Sequence, residues 1–377
     1  MIDEIFFISF FLLLYPVFLY PVCMLLLYNL RRRPIIRNPF PGKVTVIITA
    51  HNEESKIRDK LENTLNQDFP HERLQILVAS DFSTDATDSI VGAYAERGVT
   101  LIRPDRRGGK EYAQKYAVGK ATGDVIVFSD VGTELEIGGI SRITSNFADP
   151  TVGCVSSRDV FLAPGRAVSG EGIYVRYEML LRKLETGAHS VVGLSGSFFA
   201  ARTNICAGIR TDTQSDFQTL LNAVRLGYRG VADPQAIGYY RELAAPHNEL
   251  RRKIRTVLRG ITTLMTNADL LNPLQFGLFS FQLISHKLLR WLVPLFLFLM
   301  LITSAAGAFD SALFRLAFLA QCVAYALALA AFLNRRISRI GPMALFRYGL
   351  ISNIGIIVAW LKFLRGERIV YWEPSKR

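Results

Sequence analysis

The sequence predicts an α/β domain, a mostly parallel mixed sheet flanked by helices, set between apolar segments at the two ends of the chain. Three observations carry this prediction. Short β-branched runs at residues 44–49 and 125–128 and a second strand at 74–79 alternate with helical patterns, the rhythm of strand–helix–strand units that build a parallel sheet. Residues 5–30 are almost uncharged, long enough to span a bilayer, and stop at Arg31, Arg32 and Arg33. Further apolar stretches fill residues 288–308 and 313–333, so the mean hydropathy of +0.24 is concentrated at the ends.

The N-terminal charges run Asp3 and Glu4 first, arginines last, the reverse of a cleaved secretory signal. This order reads as a retained anchor with its amino end outside and the following domain in the cytoplasm. The net charge is +12, but the basic residues gather beside apolar segments and in a few loops rather than in one tract. That distribution argues against a nucleic-acid partner and for membrane lipids and phosphorylated substrates. The four cysteines are far apart and two of them, Cys23 and Cys322, lie in apolar segments, so neither a disulfide framework nor metal-ligand spacing is present. The five histidines show no paired spacing either.

Within the domain, Pro34, Pro39, Pro41 and Gly42 form a stiff linker before the first strand. That strand ends in Ala50-His51-Asn52-Glu53-Glu54, residues able to meet a nucleotide base or simply to cap the helix over residues 55–67. The second strand runs into Ser80-Asp81-Phe82-Ser83-Thr84-Asp85; a helix over residues 86–97 and a third strand at 99–102 follow. Arg103, Arg106, Arg107, Gly108, Gly109 and Lys110 make a basic segment suited to a diphosphate or to plain solvation, and they lack the spacing of a P-loop. The central strand, residues 125–128, delivers Asp130 to its carboxyl end, where open α/β sheets bind ligands. A carboxylate there holds a metal or a substrate hydroxyl, or caps the next turn.

Beyond it, residues 152–157 read as strand, 172–184 as helix, and 194–201 (Leu-Ser-Gly-Ser-Phe-Phe-Ala-Ala) as a wall lying close to a flat ring. Asp216 opens a helical stretch over residues 212–227 and reads as a general base or a helix-dipole partner, and residues 228–232 return to strand. Residues 249–264 form a basic amphipathic helix that suits anionic lipid or phosphates in a site, and 270–284 read as interfacial. Residues 334–339 place Arg335, Arg336 and Arg339 on the cytoplasmic side, whereas a full span over 348–364 would put Lys362, Arg365, Arg368, Lys376 and Arg377 outside, against the positive-inside rule.

Taken together, Ala50-His51-Asn52-Glu53-Glu54, Ser80 to Asp85, Gly109-Lys110, Ser129-Asp130-Val131-Gly132 and Ser215-Asp216-Phe217 resemble, in order and spacing, the membrane-bound family-2 glycosyltransferases, which include cellulose, chitin and hyaluronan synthases. The resemblance covers roughly residues 44–259 and implies a GT-A fold with an N-terminal anchor (1–33), a cytoplasmic catalytic domain (34–247), interfacial helices (248–287) and a C-terminal transmembrane region (288–377). It implies a nucleotide diphosphate sugar donor, a UDP-sugar in the first instance, held by Ala50, Asn52, Glu53, Asp81, Lys110, Arg252 and Arg255. It implies Mg²⁺ or Mn²⁺ at Asp130, an acceptor at Ser195, Gly196 and Ser197, and Asp216 as the base of an inverting displacement. The acceptor would be a polysaccharide or a lipid-linked hydroxyl, and the site would face the cytoplasm from the inner membrane.

Three departures stand out. Gly132 replaces the second polar residue of the metal motif, and Ser215 replaces the Glu that commonly precedes the catalytic Asp. Thr256 replaces the Trp of the Gln-x-x-Arg-Trp motif while Arg255 is kept, which weakens the case for a long-polymer synthase. Gly132 and Thr256 also raise the alternative of a catalytically silent nucleotide-sugar- or lipid-binding membrane subunit.

Overall fold

The computed structural model describes residues 2–162, 173–241, 247–334, 336–337 and 341–369, so the readings that rest on Gly172, Arg335, Arg339, Lys376 and Arg377 lie outside the described residues. The chain divides into two compact units, one of residues 24–244, 263–280 and 369–377, the other of residues 1–23, 245–262 and 281–368.

The first unit is built on eight strands: β1 (Val44–Ala50), β2 (Leu74–Ser80), β3 (Val99–Ile102), β4 (Val125–Asp130), β5 (Thr133–Leu135), β6 (Val152–Leu162), β7 (Phe198–Arg202) and β8 (Arg229–Arg241). Their order in the sheet is β3-β2-β1-β4-β7-β6-β8-β5. The pairs β1–β2, β1–β4, β2–β3 and β6–β8 are parallel; β4–β7, β6–β7 and β5–β8 are antiparallel. The sheet is therefore mixed, with the expected parallel half at its start. Because β2 and β3 are laid to one side of β1 and β4 to the other, the strand order reverses between β1 and β4, and the carboxyl ends there frame a crevice.

All seven positions of β1 are buried, as expected of a strand covered on both faces. The helix Ile57–Leu65 supplies part of that cover through Ile57, Leu61 and Leu65, which join Val46, Ile48 and Val127 in the main core. Burying each such side chain contributes about 2 kcal/mol over leaving it in water. Phe198 and Phe199 are also fully buried, with Phe199 stacked on Phe128 at 4.7 Å, so the two aromatics of the 194–201 stretch are core and do not form a wall for a ring.

Several elements differ in length from the sequence reading. The helix expected over residues 86–97 is two pieces, Thr87–Gly92 and a 3₁₀ turn Ala95–Arg97. Gly92, a weak helix former, ends the first, and Gly98 at φ +83° ends the second. β6 continues past residue 157 to Leu162 because Arg158 and Asp159 pair in parallel with Ile237 and Gly238 of an equally lengthened β8.

The linker is fastened to this unit by Arg229. Its guanidinium donates to the carbonyls of Arg33 and Pro34, to Thr151 Oγ1 and to Asp149, with which it forms an almost fully buried ion pair at 2.9 Å.

The second unit is helical. Among the described residues, four helical stretches are long and apolar enough to cross a membrane: Ile2–Leu30, Leu278–Gly307, Ala312–Leu333 and Gly341–Leu364. The helix that begins at Leu278 is continuous through the π-helical turn Ile284–Leu288, so residues 278–284 of the stretch read as interfacial open a helix of membrane-spanning length. A matching π turn, Tyr15–Leu19, interrupts the first helix at Pro16, and the Tyr15 hydroxyl and Ser285 Oγ of the two turns are hydrogen-bonded at 3.0 Å. Phe6 against Phe314 (5.0 Å) and a Trp360 Nε1 hydrogen bond to the Trp291 carbonyl (2.9 Å) hold other helices of this unit together.

Candidate active site

The site assembles in the sheet unit, above the carboxyl ends of β1, β2 and β4. At the end of β1, Ala50 is fully buried and its carbonyl accepts the Asp81 N–H at 2.8 Å. Asn52 takes a left-handed conformation (φ +52°) that asparagine tolerates, and its Oδ1 accepts the Thr84 N–H at 2.8 Å. Asn52 therefore ties the β1 end to the β2 end. Glu53 is buried and lies 3.6 Å from Lys56.

Asp81, buried at the end of β2, is placed to order the basic segment. Its carboxylate accepts the N–H groups of Gly108 (2.9 Å) and Gly109 (3.0 Å), and its carbonyl meets His51 Nδ1 at 2.7 Å. Gly109 sits at φ +88°, a conformation that a side chain would strain, and the next residue opens the helix Lys110–Val118. Lys110 thereby points into the crevice, where its Nζ donates to Asp130 Oδ1 at 2.6 Å and to the Gly196 carbonyl at 2.8 Å.

Gly196 brings in the last acid. A methyl group at this position would stand 3.3 Å from Asp216 Oδ2, so Gly196 allows the segment before β7 to pass close beside that carboxylate. Asp216 lies in the first turn of the helix Ser215–Arg225, is buried, and accepts a hydrogen bond from Gln214 Nε2 at 3.1 Å. Asp81, Lys110, Asp130, Gly196 and Asp216 are thus linked by consecutive contacts around one crevice.

Ser195 and Ser197 flank Gly196, with their hydroxyls 2.8 Å apart. Both donate to Asp159 Oδ1, at 2.7 and 3.4 Å, and the Ser195 N–H donates to Ser156 Oγ at 2.8 Å. Desolvation pushes the Asp159 carboxyl up from the usual carboxylate range against the pull of these serines and of Arg182. The neighbouring Tyr240 phenol is pushed well up by burial and by the charges of Asp159 and Asp130.

Beneath Asp130 lies a buried lysine. Lys60 Nζ donates to Ser129 Oγ (2.7 Å) and to the Thr133 carbonyl (2.6 Å), bracing the turn on both sides of Asp130. Burial holds its amine down to about 7, opposed by the charges of Asp130 and Glu134. Sequence reasoning missed both Lys60 and Asp159. Lys60 interrupts the stripe Ile57, Leu61, Leu65 on the buried face of its helix, and Asp159 is a charge inside a strand; these were the available signals.

Arg252 and Arg255 stand on the helix His247–Thr266, in the part of it that belongs to the other unit. Burial, then the proximity of Arg259 and Arg252, lowers the Arg255 guanidinium from its ordinary value.

As for a metal, no group of three His, Cys, Asp or Glu side chains clusters among the described residues. Asp130 is partly exposed, and Lys110 bonds one of its oxygens. That arrangement suits a hard cation held by one carboxylate together with phosphate oxygens and water, rather than an all-protein cage.

Residues 45–208 match the family model described as Glycosyl transferase family 2. Over 93 residues the chain is 38% identical to Probable glycosyltransferase YdaM of Bacillus subtilis, covering 23% of this chain and 22% of that protein. Over 124 residues it is 27% identical to Beta-monoglucosyldiacylglycerol synthase of Synechocystis, covering 32% of this chain and 26% of that one. The matches therefore span about a quarter of those relatives' length. Among solved structures, mannosyltransferase PcManGT from Pyrobaculum calidifontis, in complex with GDP-Man and Mn²⁺, is similar with a TM-score of 0.74 and 22% identity, over 97% of this chain and 100% of that one. That likeness is one of fold, the GT-A fold. Residues 45–208 thus carry the similarity to glycosyl transferase family 2, in a chain that has the GT-A fold.

Proposed function

We propose that this chain is an inverting, metal-dependent glycosyltransferase that moves a sugar from a nucleotide diphosphate sugar to a hydroxyl of a polysaccharide or lipid-linked acceptor at the cytoplasmic face of the membrane. The observation that carries the reading is the convergence of Asp81, Lys110, Asp130, Gly196 and Asp216 on one crevice. The donors in the relatives' solved complexes, such as GDP-Man, support the substrate class.

In this reading the strand ends around Ala50, Asn52, Glu53 and Asp81 receive the base and ribose. Lys110 has a cationic ammonium directed at the carboxylate that a diphosphate would adjoin, so it meets the charge that grows on the leaving group. Asp130 would hold a divalent cation, which would supply further neutralisation of that charge. Asp216 is acceptor-only as a carboxylate, and Gln214 binds one of its oxygens. As a carboxylate it is suited to take the proton of an acceptor hydroxyl as that hydroxyl attacks the anomeric carbon and the bond to the diphosphate breaks. One such displacement inverts the anomeric configuration. Ser195 and Ser197, fixed by Asp159, line the acceptor side.

The test is release of nucleoside diphosphate by the purified full-length chain across a panel of UDP- and GDP-sugars, with and without Mn²⁺. Metal-dependent release with at least one donor, accompanied by a β-linked product from an α-linked donor, is expected. Donor binding with no release by any donor would overturn the assignment in favour of a silent subunit.

A further inference from the structure

A cavity of about 510 Å³ opens in the sheet unit, and none of Asp81, Lys110, Asp130, Gly196 and Asp216 is among its described lining residues. Three of its lining cations, Arg32, Arg33 and Arg37, come from the segment that leaves the first apolar helix. Arg158 of β6 and Arg176, Arg182 and Lys183 of the helix Ile173–Ala188 face them. No carboxylate is among the described residues that line it. Asp233 lies 3.6 Å from Arg37, and Arg182 donates to the Ser156 hydroxyl at 2.9 Å and feels the charge of Asp159. Seven basic side chains around one cavity give it a positive potential that favours an anionic occupant.

The rest of the lining is apolar, with Ile35, Met179 and the half-exposed Leu180 among it. Tyr28 lies in the last turn of the helix that ends at Leu30 and packs against Gly187, where a methyl group would meet its ring at 2.3 Å. Arg32 lies over the same ring at 5.4 Å, and the Arg33 N–H donates to the Gly187 carbonyl at 2.8 Å. The cavity is thus fastened to the first residues that follow a stretch of membrane-spanning length.

We propose that this cavity binds the phosphate-bearing head of a membrane lipid. Several guanidinium forks around one space match a phosphate group in shape and charge. The volume lies within the range of about 300–1,000 Å³ that small-molecule sites occupy. The apolar side chains at its rim suit the glycerol and the start of an acyl chain, and the adjoining span ends at the level where head groups lie. The inference does not depend on the transferase reading, because the lipid need not be the acceptor. A free phosphate ester shares the same charge chemistry and differs in lacking the apolar part.

The test uses the full-length chain in neutral detergent and three probes: dioctanoyl phosphatidic acid, dioctanoylglycerol and glycerol 3-phosphate, with binding followed by titration calorimetry. Saturable binding of the phosphatidic acid is expected, about tenfold or more tighter than that of glycerol 3-phosphate, with none for dioctanoylglycerol. The double variant Arg176→Gln/Lys183→Gln changes two exposed side chains on a helix surface and should weaken that binding by about tenfold. Lys115→Gln/Lys120→Gln removes the same charge from another exposed surface and should leave it unchanged. Absence of saturable binding, equal weakening by both pairs, or equal affinity for glycerol 3-phosphate would each overturn the proposal; the last would make the cavity a site for soluble phosphate esters.

Discussion

Replacing Lys60 by Met should alter how the stability of the chain depends on pH. Burial lowers the Lys60 amine to about 7, whereas in the unfolded chain it returns to its ordinary 10.5. Between these values the unfolded state binds the extra proton, so stability rises with pH, by up to about 1.4 kcal/mol per unit. Below pH 7 both states are protonated, the slope vanishes, and a penalty on the order of 4–5 kcal/mol stands in full. The variant has no such penalty, but it leaves Ser129 Oγ and the Thr133 carbonyl without their donor, at about 1–3 kcal/mol each. The two effects nearly offset each other at pH 7. From pH 7 to 9 the difference should move in favour of the natural chain by about 2–3 kcal/mol. Denaturant unfolding of the full-length pair in detergent at pH 6, 7, 8 and 9 measures it, since other titrating groups cancel in the difference. A difference that stays constant over that range would refute the assignment of a depressed, buried amine. The same substitution frees the turn that carries Asp130, so half-saturation by Mn²⁺ in the transfer assay should rise.

Three further outcomes follow from the geometry. Asp159→Ala removes the acceptor shared by the Ser195 and Ser197 hydroxyls and should raise the acceptor KM about tenfold, with donor KM unchanged, in initial-rate kinetics. Gly196→Ala sets a methyl 3.3 Å from Asp216 Oδ2, and displacing that carboxylate by a few tenths of an ångström should lower kcat about tenfold while calorimetric nucleotide affinity holds. Arg229→Met strands the buried Asp149 carboxylate and releases the linker carbonyls, which should cost about 3–5 kcal/mol in denaturant unfolding.

The parallel half of the sheet was legible because β1, β2 and β4 are short, mostly apolar runs with polar residues at their ends, and covered strands leave that pattern in sequence. The edges were less so. β6 continues through Arg158 and Asp159, whose polarity masks a strand that only its pairing with β8 defines. The residues of the crevice could be named from motifs, but their connections could not. That Asp81 holds Gly108 and Gly109, and that Lys110 reaches both Asp130 and Gly196, depends on contacts between segments far apart in the chain. Lys60 was hidden for a related reason, since a lysine on a helix normally reaches solvent and here its ammonium ends inside the sheet.

The most direct measurement of the transferase account compares Asp216→Asn with the natural chain, following label transfer from a nucleotide sugar to acceptor together with calorimetric binding of the nucleotide. Asparagine keeps the shape and the Gln214 contact but cannot take a proton. The account predicts donor affinity within about twofold and transfer lowered by about 10²–10⁴. Undiminished transfer would contradict it, because the proton would then be leaving by another route.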